Sequence, residues 1–163
     1  MNLRQIGVIH SPHEQAAGTP LQPSLAAGVM GRVEVLPEFA VGPKDLEGFE
    51  RIWLVYWFDR AKPAELVVTP YMDTVARGLF ATRAPCRPNP IGLSCVRLVR
   101  MEGGVLHVEG VDMLDGTPLL DIKPYVPAFD AFRAERIGWL AEAGQNEAVA
   151  DGRFENGNNL KQR

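Results

Sequence analysis

Seven short segments rich in β-branched and aromatic residues, each bounded by turn signals, restrict this chain to a mostly β fold. They cover residues 4–10, 31–36, 51–58, 66–69, 78–81, 94–101 and 105–111. Gly103 and Gly104 predict a hairpin between the last two, because glycine adopts the positive φ of tight primed turns. The 16 glycines and 13 prolines exceed the usual combined share of about 12% and argue against a helical bundle. The pattern predicts a single closed or nearly closed antiparallel β-barrel.

Two helices are predicted beside the strands. Pro43 suits the first turn of a short helix over residues 43–49. A longer C-terminal helix is expected to begin at Asp130, a residue type that caps helices, and to end at Gly144. Residues 1–143 would then form the barrel domain with its helix. The polar residues 144–163 would form a poorly ordered tail.

Length, charge and cysteine content indicate one globular domain in a reducing compartment. The 163 residues carry a formal charge of −3, and a chain of this length can bury a core without disulfides or metal. Cys86 and Cys95 are too few for a secreted disulfide scaffold. No apolar run approaches the roughly 18 residues of a membrane-spanning helix, and the N-terminus lacks an apolar leader segment. We therefore expect a cytoplasmic protein that makes no membrane contact.

Several familiar catalytic and metal-binding motifs are missing from the sequence. Neither G-x-G-x-x-G nor G-x-x-x-x-G-K-[ST] occurs, so neither a Rossmann dinucleotide site nor a P-loop is predicted. Residues 92–96 lack the last glycine of a nucleophile elbow. His10 and His13 have no second ligand pair at metal spacing, so no metal site is expected. Cys86 has no neighbouring histidine to act as a base and is interpreted as an inert thiol.

The charges are unevenly distributed along the chain. Residues 74–101 contain no Asp or Glu, whereas residues 102–130 are acidic. The basic segment contains Arg77, Arg83, Arg87, Arg97 and Arg100. Arg97 and Arg100 are interpreted as lying on the solvent face of a strand. Arg83 and Arg87 differ because they belong to a proline-rich loop.

Three proline-rich loops carry the candidate site residues. They span residues 19–23, 80–94 and 112–130. Prolines fix the backbone, so the side chains between them lose little entropy when a ligand binds. In one interpretation the loops only turn the corners of a barrel, with Arg83 and Arg87 paired to Asp115 and Asp121. The alternative is a binding or catalytic site, which irregular loops on a rigid scaffold more often provide.

Two long motifs in these loops resemble a known family. FATRAPCRPNPIGLS and VDMLDGTPLLDIKPYVP are similar to the TsaA-like, or TrmO, family of S-adenosylmethionine-dependent tRNA methyltransferases. IGVIHSP, TPLQP and EGFERIWLVYWF resemble the same family in the same order. The resemblance implies an all-β barrel that works as a homodimer. It also implies methylation of the exocyclic nitrogen of threonylcarbamoyladenosine 37, next to the tRNA anticodon.

The resemblance also implies where S-adenosylmethionine binds. Carried over position by position, its contacts fall on Leu21, Gln22, Pro23, Asp59, Arg60, Arg83, Leu93, Asp112, Met113, Leu114 and Asp115. Family members often have Arg in place of Leu21 and His in place of Asp59. The chain further resembles compact members that lack an extra C-terminal domain.

The residue types in the loops suit this chemistry. Asp112, Asp115 and Arg83 can receive the ammonium and carboxylate of the cofactor's amino acid end. The target nitrogen must lose a proton, so an acceptor is required. We expect this acceptor to be Asp115 or Asp121.

The modified base and the tRNA need further contacts. Arg87 would pair with the threonyl carboxylate of the modified base, and Asn89 would read a base edge or orient the loop. The arginines of the basic segment would contact tRNA phosphates. Tyr71 and Tyr125 could stack a loop base or belong to the core. Two alternatives stay open: a methyltransferase of this fold with another acceptor, and a barrel that binds small ligands or RNA without catalysis.

Overall fold

The computed structural model describes residues 2–143 and 149–156, and its main feature is a closed six-stranded antiparallel barrel. The strands are β1 (Gly7–His10), β2 (Met30–Val35), β3 (Arg51–Trp57), β4 (Val67–Val68), β5 (Arg77–Gly78), β6 (Ile91–Glu102), β7 (Val105–Glu109) and β8 (Thr117–Pro124). The barrel order is β1-β2-β7-β6-β3-β8, and β1 pairs with both β2 and β8 to close it. Strands β4 and β5 form a separate two-stranded sheet. The predicted fold class is confirmed.

The alternating sequence of the strands fills the barrel. Along β3, Ile52, Leu54 and Tyr56 are buried, and the residues between them face outward. Side chains alternate across a strand, so a single apolar face produces this pattern. The interior residues of the other strands include Ile9, Val33, Val96, Leu106, Val108 and Leu119, all fully buried.

Strand β8 was not predicted, because the sequence around it was interpreted as a loop. Its prolines are the reason: Pro118 is the second residue of β8 and Pro124 the last. Proline removes a ladder hydrogen bond, but the ends of a strand tolerate that loss better than its middle. The loop interpretation of residues 112–130 holds for residues 112–116 and is wrong for residues 117–124.

The helix predicted from Asp130 to Gly144 is wrong over its described part. Only α1 (Pro127–Asp130) and a 3₁₀ turn, Gly138–Ala141, are helical there. Gly138 has φ +62°, which a continuous right-handed helix does not accommodate. Trp139 Nε1 instead donates a hydrogen bond to the Ala81 carbonyl at 2.8 Å and anchors the segment on the barrel. Gly144 itself lies outside the described residues.

The predicted short helix and the predicted C-terminal tail also differ from expectation. The helix over residues 43–49 is reduced to a 3₁₀ turn, Leu46–Gly48, because Asp45 adopts a left-handed conformation with φ 67°. Further 3₁₀ turns are Pro23–Leu25, Pro37–Phe39 and Leu79–Ala81. Within the predicted tail, residues 149–156 pack on the barrel and bury Phe154, so this stretch is ordered. No helix within residues 2–143 and 149–156 is long and apolar enough to cross a membrane.

Antiparallel pairing places alternate connections at the same end of the barrel. The β1–β2, β3–β6 and β7–β8 connections therefore meet at one end, where β3 ends and β6 begins. These connections contain the residues of the three proline-rich loops that precede β8. The β2–β3 connection and the β6–β7 hairpin lie at the opposite end.

Candidate functional site

A cavity of about 410 Å³ opens at the end of the barrel where these three connections meet. It brings together most of the residues that the resemblance implied for S-adenosylmethionine. These are Leu21, Gln22, Asp59, Arg60, Arg83, Leu93, Asp112, Met113 and Leu114, together with the predicted catalytic residue Arg87. Aromatic walls come from Tyr56, Phe58 and Tyr71. The cavity thus combines charged groups with flat apolar surfaces.

A chain of hydrogen bonds joins two strands to Asp112 in the cavity wall. Ser94 Oγ donates to Asp112 Oδ1 at 2.6 Å and lies 3.0 Å from the Tyr56 hydroxyl. The Ser94 hydroxyl has a single proton. When it donates this proton to the carboxylate, the Tyr56 hydroxyl must be the donor in the hydrogen bond between Tyr56 and Ser94. Both Ser94 and Tyr56 are almost fully buried. The chain therefore fixes the carboxylate from inside the barrel.

Burial dominates the electrostatics of this group. Desolvation raises the pKa of Asp112 from 3.8 to about 6, against the lowering effects of the Ser94 hydrogen bond and the Arg83 charge. The pKa of Tyr56 is also raised, first by burial and then by the Asp112 charge, so its hydroxyl keeps its proton. Asp112 is therefore a carboxylate that binds protons more tightly than usual.

Gly92 in β6 makes room for the Tyr56 ring. A Cβ placed on Gly92 would lie 2.1 Å from Tyr56 Cε2 and 2.4 Å from Cζ, far inside van der Waals contact. The ring also packs edge-on against Phe58 at a centroid distance of 5.2 Å. A glycine inside a strand often marks such a close approach.

Arg83 and Arg87 occupy the same loop but make different contacts. Arg83 is exposed, and its Nη1 donates to Gln22 Oε1. Arg87 Nη1 donates to the carbonyls of Thr82, Leu79 and Ala84 at 3.1 to 3.4 Å, and its guanidinium lies over Phe80. Arg83 thus lines the cavity beside Gln22, and Arg87 shapes the loop that carries Arg83. The interpretation in which the loops only turn the corners of the barrel required Arg83 and Arg87 to pair with Asp115 and Asp121. The structure shows neither arginine paired with either of these acids.

Arg60 links two connections at the cavity. Its Nη1 donates to the Glu14 carbonyl at 2.9 Å and its Nη2 donates to the Asp115 carbonyl. The Asp115 side chain points to another neighbour, with Oδ1 3.2 Å from His10 Nδ1 and 3.2 Å from the Ser11 backbone nitrogen. Asp115 therefore holds the turn together, and its carboxylate does not line the cavity.

Some predicted residues lie away from the cavity. Asp121 lies on β8 opposite Val55, outside the cavity lining, and pairs with Lys123 at 2.7 Å, so the structure does not support it as a base. Pro23 begins a 3₁₀ turn, and Asn89 is exposed beyond the cavity lining. Tyr125 packs edge-on against Trp53, which favours the interpretation that it packs within the protein over the one in which it stacks on a tRNA base.

The arginines expected to contact phosphate are partly engaged elsewhere. Arg77 pairs with Asp73 at 2.7 Å and Arg97 pairs with Glu109 at 3.1 Å. Arg100 pairs with Glu102. The side chains of Arg97 and Arg100 are more than half exposed, which confirms their place on the solvent face of a strand.

Tyr56, Ser94 and Phe154 belong to the site but were not identified from the sequence. A signal was available for the first two, because a hydroxyl at an inward position of an apolar alternating strand needs a buried partner. Phe154 gave no such signal in its polar surroundings. Within residues 2–143 and 149–156, no group of three His, Cys, Asp or Glu side chains could hold a metal ion.

The fold and the cavity together define a class of protein: a closed antiparallel β-barrel with a charged and aromatic cavity built by its connections at one end. Comparisons with known proteins identify the family. Residues 8–131 match the family model of the tRNA-methyltransferase O N-terminal domain. The chain belongs to this family, and the resemblance noted in the sequence is confirmed.

Individual relatives agree with this assignment. A probable S-adenosyl-L-methionine-binding protein of Pyrococcus abyssi is 54% identical over 93% of this chain and 83% of the relative. The mouse tRNA (adenine(37)-N6)-methyltransferase is 35% identical over 77% of this chain and 31% of the mouse protein. The crystal structure of TrmO from Pseudomonas aeruginosa superposes with a TM-score of 0.72 at 41% identity, covering 85% of this chain. The chain spans 62% of that crystallised protein.

Proposed function

We propose that this chain is an S-adenosylmethionine-dependent tRNA methyltransferase whose acceptor is the exocyclic nitrogen of threonylcarbamoyladenosine at tRNA position 37. The observation that carries the proposal is the cavity in which Arg83, Asp112 and aromatic rings meet. The names of the relatives from Pyrococcus abyssi and mouse support the cofactor and the tRNA substrate. The protein would act in the cytoplasm, on the anticodon loop.

The cavity lining fits the cofactor chemically. Arg83 and Gln22 provide the donors that a carboxylate requires. Phe58, which is only partly buried, offers a ring face for a purine, and ring faces also attract a cation such as a sulfonium. Leu93, Met113 and Leu114 supply the apolar remainder of the wall. When bound, S-adenosylmethionine supplies the methyl group.

Asp112 is the proton acceptor in this proposal, in place of Asp115 or Asp121. A nitrogen in a urea-like group has a delocalised lone pair and becomes a good nucleophile only when its proton is removed. With its pKa at about 6, Asp112 is mostly ionised at pH 7 and is a stronger base than an ordinary carboxylate. Ser94 holds the carboxylate in orientation, and the carboxylate has more acceptor positions than Ser94 occupies.

Binding and transfer are tested separately. We expect calorimetry to show S-adenosylmethionine binding to the wild-type chain, and Arg83→Gln to weaken it ten- to hundredfold because a charge-assisted hydrogen bond is lost. Arg97→Gln, on the solvent face, is the matched control and should leave affinity unchanged. Mass spectrometry of nucleosides should then show methylated threonylcarbamoyladenosine after incubation with modified tRNA. A wild-type chain that does not bind the cofactor would contradict the proposal. If the chain binds the cofactor but methylates only another nucleoside, that nucleoside is the acceptor and threonylcarbamoyladenosine is not.

We also propose that the chain acts as a homodimer. The support is an apolar outer surface on adjacent strands, formed by Trp53, Val55 and Trp57 of β3 with Ile91 and Leu93 of β6. Leu93 is 56% exposed, and adjacent exposed apolar side chains are typical of interaction surfaces. We expect light scattering to give the mass of two chains, and Val55→Lys to give that of one. Val41→Lys, at the opposite end of the barrel, should remain dimeric; a monomeric wild-type chain would refute this assembly.

A further inference from the structure

The C-terminal segment, defined here as residues 149–156, lies beyond the family model, which ends at residue 131. We propose that this segment is an integral wall of the cofactor cavity, and that it holds the cavity connections in the arrangement that binds S-adenosylmethionine. The inference rests on the proposed function for the identity of the ligand. Its physical basis is the set of contacts that the segment makes with three separate parts of the cavity.

The first contact is with the β1–β2 connection, which carries Leu21 and Gln22. The Gly18 backbone N–H donates to the Ala150 carbonyl at 2.8 Å, and the Ala150 N–H donates to the Thr19 carbonyl at 2.8 Å. The Ala16 N–H donates to Glu155 Oε2 at 3.0 Å. The segment thus adds a short antiparallel pairing to this connection.

The second contact is with the chain that follows β3, which carries Asp59 and Arg60. The Lys62 N–H donates to the Phe154 carbonyl at 3.0 Å, and the Asn156 N–H donates to the Arg60 carbonyl at 2.8 Å. These paired backbone hydrogen bonds fix the Arg60 backbone, whose side chain in turn reaches Glu14 and Asp115.

The third contact is a small second core under the loop that carries Arg83. Phe154 is only 6% exposed and belongs to a buried cluster with Val68, Leu79, Ala84 and Cys86. Its ring packs edge-on against Tyr71 at a centroid distance of 5.0 Å. Since Ala84 is the neighbour of Arg83 in sequence, Phe154 supports the backbone from which Arg83 reaches the cavity.

The segment also contributes surface to the cavity, through Ala150, Phe154 and Glu155. An opened segment would therefore remove part of the wall and release the β1–β2 connection and both contacted parts of the β3–β6 connection together. A ligand that binds the closed arrangement better than the open one shifts the population toward the closed one. Cofactor binding must then suppress local opening of the segment.

Hydrogen exchange on the wild-type chain tests this coupling. Saturating S-adenosylmethionine should slow exchange of the Ala150 and Asn156 amides at least tenfold. The Leu36 amide, which donates to the Ile6 carbonyl at the opposite end of the barrel, is the internal control and should change less than twofold. Unchanged exchange at Ala150 and Asn156 in a chain that binds the cofactor would overturn the inference. Failure of the wild-type chain to bind would instead count against the proposed function.

Point variants test the same inference by affinity. Phe154→Ala should weaken S-adenosylmethionine binding at least tenfold, and Phe154→Leu should restore most of the loss because it refills the buried cluster. Phe132→Ala, at a side chain that is 84% exposed, is the matched control and should bind as the wild type does. Phe154→Ala binding within twofold of wild type would refute the role of the segment. If that variant does not fold, the exchange measurement on the wild-type chain decides.

Discussion

Asp112→Asn is expected to slow single-turnover methyl transfer at least 100-fold at pH 7 and to raise the melting temperature at pH 8. The rate falls because asparagine cannot accept the proton, and a positioned general base contributes roughly 10²- to 10⁴-fold. Stability rises because an amide fills the same space without a desolvated charge. The rate is measured with modified tRNA, and stability by thermal unfolding across pH.

The pH dependence of the stability effect has a defined sign. The pKa of Asp112 is raised from 3.8 to about 6 in the folded chain, so ionisation disfavours the folded state. That penalty is absent below pH 4, grows as the pH rises to 6 and is complete above it. One pKa unit corresponds to about 1.4 kcal/mol, which makes the full penalty about 3 kcal/mol and the gain in melting temperature roughly 6–12 °C. The variant should gain little at pH 4.

Asp121→Asn is the matched control for this prediction. Asp121 pairs with Lys123 and lies outside the cavity lining, so its variant should transfer methyl groups at a rate within threefold of wild type. A normal rate for Asp112→Asn would remove Asp112 as the base. Equal melting temperatures of wild type and Asp112→Asn at pH 8 would show that burial does not penalise this charge.

The barrel was predictable because its strands follow a simple physical rule. Alternating apolar residues, as in Ile52 and Leu54, predict an inward face whatever the partner strand is. Strand β8 follows this rule only at its start, where Thr117 and Leu119 are buried, because its register with β3 shifts after Leu119. Pro118 and Pro124 also hid the strand, because proline marks both loops and strand ends. The C-terminal segment was hidden for another reason. Phe154 is a single apolar residue in a polar stretch, and its burial depends on a cavity formed by distant parts of the chain.

The site was predictable as a set of loops but not as a set of roles. The prolines and charges drew attention to the loops that contain Gln22, Arg83 and Asp112, and these three residues line the same cavity. Which acid is desolvated depends on three-dimensional neighbours that spacing does not reveal. Asp115 and Asp112 are three residues apart, but Asp115 faces His10 and Ser11, whereas Asp112 faces Ser94.

Gly92→Ala is expected to destabilise the fold by at least about 3 kcal/mol and to abolish cofactor binding. The added Cβ would lie 2.1 Å from the Tyr56 ring. That ring cannot yield cheaply, because it is 3% exposed and its hydroxyl lies within hydrogen-bonding distance of Ser94. Overpacking a well-packed core usually costs about 1–3 kcal/mol, and a clash with an immobile ring belongs at or above the upper end. Denaturant unfolding measures the loss.

A double-mutant cycle shows whether the clash with Tyr56 is the cause. Tyr56→Ala removes the ring, so Gly92→Ala should cost less than about 1 kcal/mol in that background, and the difference between the two costs is the interaction energy. Gly48→Ala is the control, because a Cβ there meets no atom within 4 Å and the change should stay within about 0.5 kcal/mol. Equal costs of Gly92→Ala with and without the Tyr56 ring would mean that the strand itself requires glycine. That result would disprove the proposal that Gly92 is needed to leave room for the Tyr56 ring beside Ser94 and Asp112.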